Sequence, residues 1–320
     1  MDPKKVTPHR VWTYIRLTAG SRSGAKMKPE LMPLNVLRDI RKIYTGLNAD
    51  SIREEAWRDL NVGLLAADES GYNRMEAFLA PPFMERDARN QALRCIHPAD
   101  GQPDRFDFVL CEPGIPVPRN GYLFESDQSD SLVNLIVTEH QDLELALARV
   151  FPLFRKPVSD RIINRIARDN ALFSLVTALP NVVPSLIELP WSIGEFASDT
   201  AFLTMNQVRM ALQLAAAHGR PVGYVEQKIE IAAIAAGAFG WRAIARELVG
   251  KIPLGGGLIP KAAVAFAGTY VVGLGLEKAN STGSGLSRQE KREAYAMAFS
   301  KGKEVVSDLA PDLIRSQPLA

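Results

Sequence analysis

At 320 residues, with 47% hydrophobic and 23% charged residues and a net charge of +2, the chain is long enough for two folded domains. That balance excludes a largely disordered protein and gives no global reason to expect nucleic acid as a partner. Two cysteines, Cys95 and Cys111, make no disulfide framework and lack metal-ligand spacing. Both sit in apolar sequence surroundings, as buried reduced thiols do, which points to a reducing, cytoplasmic setting.

In chain order, residues 1–29 come first as a basic arm. Lys4, Lys5, Arg10, Arg16, Arg22, Lys26 and Lys28 stand against Asp2 and Glu30, a net +5 over residues 1–30. No apolar run with a small-residue cleavage site follows, so the stretch is not a secretory signal. It reads as a flexible arm, as a basic anchor for anionic lipid headgroups, or, if Met27 is the true start, as an artefact.

Residues 30–156 predict a small α/β domain. Leu34, Leu37, Ile40, Ile43 and Leu47 recur at helical spacing, and Ser51-Ile52-Arg53-Glu54 has the capping-box pattern that opens a second helix. The period then changes. Leu60 to Ala67 reads as a buried strand, Asp68 to Gly71 as a polar loop, and 72–80 as a helix. Phe106 to Cys111 is a second strand, and the apolar run Leu132 to Val137 a third, before a helical stretch at 141–154. The Pro- and Gly-rich intervals 98–105 and 112–121 are loops. This rhythm predicts a largely parallel sheet.

The strand–loop–helix at 60–80 is where a phosphate-binding loop, G-x-x-x-x-G-K-[ST], would sit. Its best register runs from Ala66 to Asn73, and only Gly71 agrees. Tyr72 replaces the cation, Asn73 replaces the hydroxyl that ligates magnesium, and Asp68 and Glu69 place like charge against a phosphate. Each such carboxylate costs on the order of a kcal/mol even when solvated. Behind Phe106–Cys111, Glu112 stands one residue too close to Gly114 for a magnesium motif. Beyond the third run, Glu139-His140-Gln141-Asp142 keeps only the acid of a guanine-reading motif, so Asp142 is the one possible residual base contact. Gly255 to Lys261 imitates a phosphate loop but follows no strand, and reads as a turn into a helix with Pro260 first. His9, His97, His140 and His218 are scattered, and no HExxH, GxSxG or Cys/His cluster occurs. No catalytic residue, metal ligand or cofactor is therefore assigned, and nucleotide binding is not expected.

Residues 157–309 are helix-compatible throughout, ending in an amphipathic helix at 288–309 and a tail at 310–320. Ala171 to Ile187 carries no charge over 17 residues and Ala262 to Leu276 none over 15, short of a confident membrane span. The expected fold class is thus α/β plus all-α: a degenerate P-loop-like domain followed by a helical, apolar one.

From Arg161 to Ala279 the chain resembles the helical domain of unknown function found in YcjF-like bacterial membrane proteins and behind some Era-like GTPase domains. The likeness is carried by RIARDNALFSLVTALPNVVP (165–184), LTMNQVRMALQLAAAHGR (203–220) and IPLGGGLIPKAAVAFAGTYVVGLGLEKA (252–279), the last two being the more specific, through Asn206-Gln207 and the Ile-Pro…Gly-Thr run. It implies membrane association, at the inner face of the cytoplasmic membrane, and no established activity. It also implies that residues 60–154 are an eroded GTPase-like domain.

Small residues recur four apart in two of the helices: Ala232, Ala236 and Gly240, then Ala265, Thr269 and Gly273. Such rows let helices approach closely, in membranes and in soluble bundles alike. Phe266, Tyr270, Trp191 and Trp241 read first as core residues, with interfacial anchors as the alternative. The expected partners are a membrane surface and another protein. The expected role is a non-catalytic scaffold; the alternatives are a weak guanine-nucleotide switch and a soluble helical scaffold.

Overall fold

A computed structural model describes residues 49–99, 101–125, 129–178, 199–234 and 258–315. The predicted basic arm, the helix at 34–47, both tryptophans of the helical region, and Ala236 and Gly240 lie outside these. The chain divides into two compact units. One is built from Asp50–Arg161 with Ala215–Pro221. The described part of the other comes from Ile162–Leu214 and from Val222 onward.

The first unit is α/β. Helix α1 (Ala49–Ala56) leads to β1 (Val62–Leu65), α2 (Glu69–Leu79), α3 (Arg86–Leu93), β2 (Ile96–Pro98), β3 (Phe108–Cys111), β4 (Gly121–Leu123), α4 (Ser129–Glu139) and α5 (Glu144–Val150), with short 3-10 turns between. The four strands form one sheet in the order β2-β1-β3-β4, every neighbour parallel. Val62 pairs with both Ile96 and Phe108, which makes β1 a central strand. Central strands covered on both faces need continuous apolar runs, and Phe108, Val109, Leu110 and Cys111 are all fully buried.

Three expectations fail in instructive ways. The run Leu132–Val137 is helical, inside α4. Leu132, Val133, Ile136 and Val137 are buried while Asn134 and Leu135 are exposed. That spacing is one helix face; a strand would have alternated. Strands β2 and β4 were not anticipated, because at three residues each, carrying Pro98 and Gly121, they look like loop. The connection from β3 to β4 is residues 112–120, with Pro113, Pro116 and Pro118 and no helix, shorter than parallel pairs usually need. Ser51 and Glu54 lie within α1, whose described residues run from Ala49, so Ser51 does not open that helix.

The described part of the second unit is helical, as expected: most of α6 (Arg155–Val176), α7 (Asp199–Ala217), a short helical stretch at 228–234, α8 (Leu258–Thr282) and α9 (Arg288–Arg315). Pro260 falls in the first turn of α8, at its third residue rather than its first. Helix α8 is apolar around its circumference, and its neighbours cover about half of its most apolar stretch. Ala262 and Phe266 share a core with Ala167, Ala171 and Leu175 of α6 and Val306 of α9, while Ala267 packs against Tyr295 and Ala298. Helix α9 begins with a capping box: Ser287 Oγ accepts from Glu290 N at 3.2 Å, and Glu290 Oε2 accepts from Ser287 N at 2.7 Å. Lys278 adds an ion pair to Glu290 at 2.7 Å.

Through the middle of this apolar unit runs a polar thread. Asn170 Nδ2 donates to Thr269 Oγ1 at 2.8 Å, and Asn206 Nδ2 donates to Asn170 Oδ1 at 2.7 Å. Gln207 Nε2 reaches the same Thr269 oxygen at 3.4 Å. All four side chains are buried. Burying an amide is costly unless it is bonded, so these contacts tie α6, α7 and α8 together in one register.

Candidate functional site: the junction of the first and third strands

In a parallel sheet of order 2-1-3-4, chain connections leave β1 and β3 in opposite directions. The crevice beyond the carboxyl ends of those two strands is where such folds place ligands. Here it is formed by Ala66–Ser70 after β1 and by Glu112 after β3.

The geometry of the loop follows from its sequence. Asp68 is extended (φ −148°, ψ 174°) and caps α2, its carboxylate accepting from Gly71 N at 2.7 Å. Glu69 is the first helical residue, where an acidic side chain complements the helix dipole. The predicted polar loop 68–71 is therefore the cap and first turn of the helix, which starts at Glu69 rather than at 72. The two acids that argue against nucleotide binding have a local structural cause.

The third acid, Glu112, fills the crevice. Its backbone N–H donates to Leu65 O at 2.9 Å, placing it at the tip of β1. Its Oε2 accepts from Ala67 N at 2.8 Å, and its Oε1 accepts from Arg74 at 2.5 Å. The side chain is 15% exposed. It lies so close to Gly71 that a Cβ there would stand 2.2 Å from Oε2. An anion is thus held over the first turn of a helix by a backbone N–H and a guanidinium, the arrangement that elsewhere binds phosphate. Here the anion belongs to the chain.

The remaining predicted site residues are dispersed. Ala66 lies in the loop. Tyr72 is half-buried, and burial, with Glu76 adding, raises its hydroxyl pKa above the ordinary value. Asn73 points to solvent. Asp142 pairs with Arg58 at 2.7 Å. Arg58 precedes β1 whereas Gly71 follows it, so Asp142 and Gly71 belong to opposite ends of the sheet, and no base contact is assembled. The role of Glu112 was missed because spacing to Gly114 was its only sequence cue; its partners Ala67 and Arg74 are 45 and 38 residues away in sequence.

Of the small-residue rows, Ala265, Thr269 and Gly273 are buried on α8. A Cβ on Gly273 would meet Ile163 of α6 at 2.8 Å and Met210 Sδ of α7 at 3.0 Å, so this row does bring helices close. Ala232 is half-buried. Both cysteines are unpaired, and burial pushes both thiols up from their ordinary value, which favours the protonated form. Among the described residues no three His, Cys, Asp or Glu side chains gather as a metal ion would require. Compared with protein-family models, curated proteins and solved structures, the chain finds no match.

Proposed function

We propose that this chain is a non-catalytic scaffold: a GTPase-like α/β domain that has lost nucleotide chemistry, joined to a helical, YcjF-like module that associates with a membrane surface and a protein partner. The observation that carries the first half is the Glu112 carboxylate, which takes the position a phosphate would need. A nucleotide would have to displace it, break an ion pair with Arg74, and approach Asp68 and Glu69. Calorimetry with magnesium and GTP tests this; binding tighter than about 1 mM, near −4 kcal/mol, would overturn it.

The second half draws support from α8. Its stretch Ile259–Thr282 is long and apolar enough to cross a bilayer, although half of its most apolar window is covered by the rest of the protein. That coverage, with Thr269 committed to the amide thread, favours a second reading, in which α8 is the central helix of a soluble scaffold. Cell fractionation separates the two. Recovery of the protein wholly in the soluble fraction without detergent would remove the membrane claim and leave the second reading.

A further inference from the structure

The crevice between β1 and β3 is shaped to hold one carboxylate. Each oxygen of Glu112 has a donor of its own, Ala67 N for Oε2 at 2.8 Å and Arg74 for Oε1 at 2.5 Å. Gly71 leaves room for the group, since a Cβ there would lie within 2.6 Å of both oxygens. The donors suit a flat monoanion better than a phosphate dianion. Arg74 is the one cation bonded to the group among the described residues, and Asp68 and Glu69 follow Ala67 directly. A second negative charge would meet their repulsion with nothing to offset it.

Two observations set this cradle apart from an ordinary structural ion pair. Its walls face water: Ala67 and Ser70 are exposed and Arg74 is 59% exposed, whereas the carboxylate they hold is 15% exposed. An external group can therefore reach the donors that Glu112 now covers. The occupant can also leave without disturbing the sheet. Glu112 N–H donates to Leu65 O at 2.9 Å, which fixes the backbone, so only the side chain need rotate. The Pro113-Gly114 turn that follows it is exposed.

We propose that Glu112 is an autoinhibitory contact: a tethered carboxylate filling a cradle that accepts an acidic side chain of a protein partner. This rests on the reading of the crevice as one that has lost nucleotide chemistry, and it names what the crevice takes instead. One carboxylate replaces another on Ala67 N and Arg74, and no covalent bond changes. The tethered group competes at a millimolar or higher effective concentration, so a partner's carboxylate enters only when contacts elsewhere on that partner add to it.

The test empties the cradle. The full-length Glu112→Ala chain is titrated with formate, N-acetylglutamate amide and inorganic phosphate, each against sodium chloride of equal ionic strength, and thermal unfolding is followed. Formate and N-acetylglutamate amide should bind with a Kd of about 10–100 mM, raising the midpoint by about 3 °C at ten times Kd. N-acetylglutamine amide should give no shift. The wild type and Glu112→Gln, whose side chains still fill the crevice, should not respond, nor should Glu112→Ala combined with Arg74→Ala. If Glu112→Ala alone does not fold, recovery of its far-UV circular dichroism by formate carries the same information. The proposal is overturned by no carboxylate-specific stabilisation of Glu112→Ala, by an equal response in the wild type, or by a response that survives loss of Arg74. Stabilisation by formate without N-acetylglutamate amide would mean a site for small free anions only, and overturns the partner claim. A preference for phosphate over formate overturns the carboxylate assignment. Binding of magnesium and GTP to the wild type would instead defeat the scaffold reading, and these titrations contain no nucleotide, so the two failures are distinct.

Discussion

Replacing Gly71 by alanine sets two effects of opposite sign against each other. Gly71 lies in the first turn of α2 with a negative φ, and alanine is the better helix former by about 1 kcal/mol. On propensity alone the substitution should stabilise. The structure predicts the reverse, because the new Cβ would fall 2.2 Å from Glu112 Oε2 and 2.5 Å from its Cδ. The carboxylate must move away from Ala67 N, now at 2.8 Å. A charge-assisted hydrogen bond of that kind contributes about 1.5–3 kcal/mol, and the half-exposed ion pair to Arg74 adds about 0.2–1 kcal/mol. Set against the helix gain, the net expectation is a loss of about 0.7–3 kcal/mol. Urea unfolding followed by far-UV circular dichroism measures it, and a double-mutant cycle isolates the cause. With Glu112→Ala already in place the clash is gone, and the same Gly71→Ala change should become stabilising. Gly71→Ala that stabilises the otherwise unaltered protein would refute the account of Glu112 given above.

A paired test in α8 uses the same logic. Gly273→Ala should destabilise despite better propensity, since Ile163 lies 2.8 Å from the added Cβ, whereas Gly275→Ala, whose nearest neighbour is Leu286 at 3.9 Å, should be neutral or stabilising by up to about 1 kcal/mol. Comparable melting temperatures for the two variants would contradict the packing described. Thr269→Val should cost about 1–3 kcal/mol by removing the acceptor that Asn170 Nδ2 and Gln207 Nε2 share, and Thr269→Ser should restore most of it, as thermal unfolding would report. The acid limb of stability should carry a contribution from Glu290. Its carboxyl is held down at about 2, first by the bond from Lys278 and then by those from Ser287, against an ordinary value of 4.5. A folded-state value below the unfolded one stabilises above pH 4.5, and that stabilisation is lost as pH falls towards 2. Glu290→Gln should flatten the profile in that window; an unchanged acid transition would count against it.

The opening of α9 shows what local sequence can carry. The helix expected from residue 288 begins at Arg288, where Ser287 and Glu290, three residues apart, close a capping box. Phe106–Cys111 was legible as a strand, and the helical character of the described residues beyond Pro157 as well, since burial on both faces or around a whole helix leaves unbroken apolar runs. Leu132–Val137 was not, because six residues fit either period and only the surroundings expose Asn134 and Leu135. Strands β2 and β4 owe their existence to the neighbours they pair with, more than to their own three residues.

The same division applies to the candidate site. The amino acids by themselves determined that the loop after β1 lacks the lysine, the hydroxyl and the first glycine of a phosphate-binding loop, with Tyr72, Asn73 and Ala66 in their places. Residue identity alone decides that, since it is read position by position from the chain. What occupies the crevice was decided by tertiary structure. Glu112 reaches Ala67, Gly71 and Arg74 only because β3 lies parallel beside β1, with Leu65 paired to Cys111. An interaction between residues some 40 positions apart has no local signature; the register of two strands creates it.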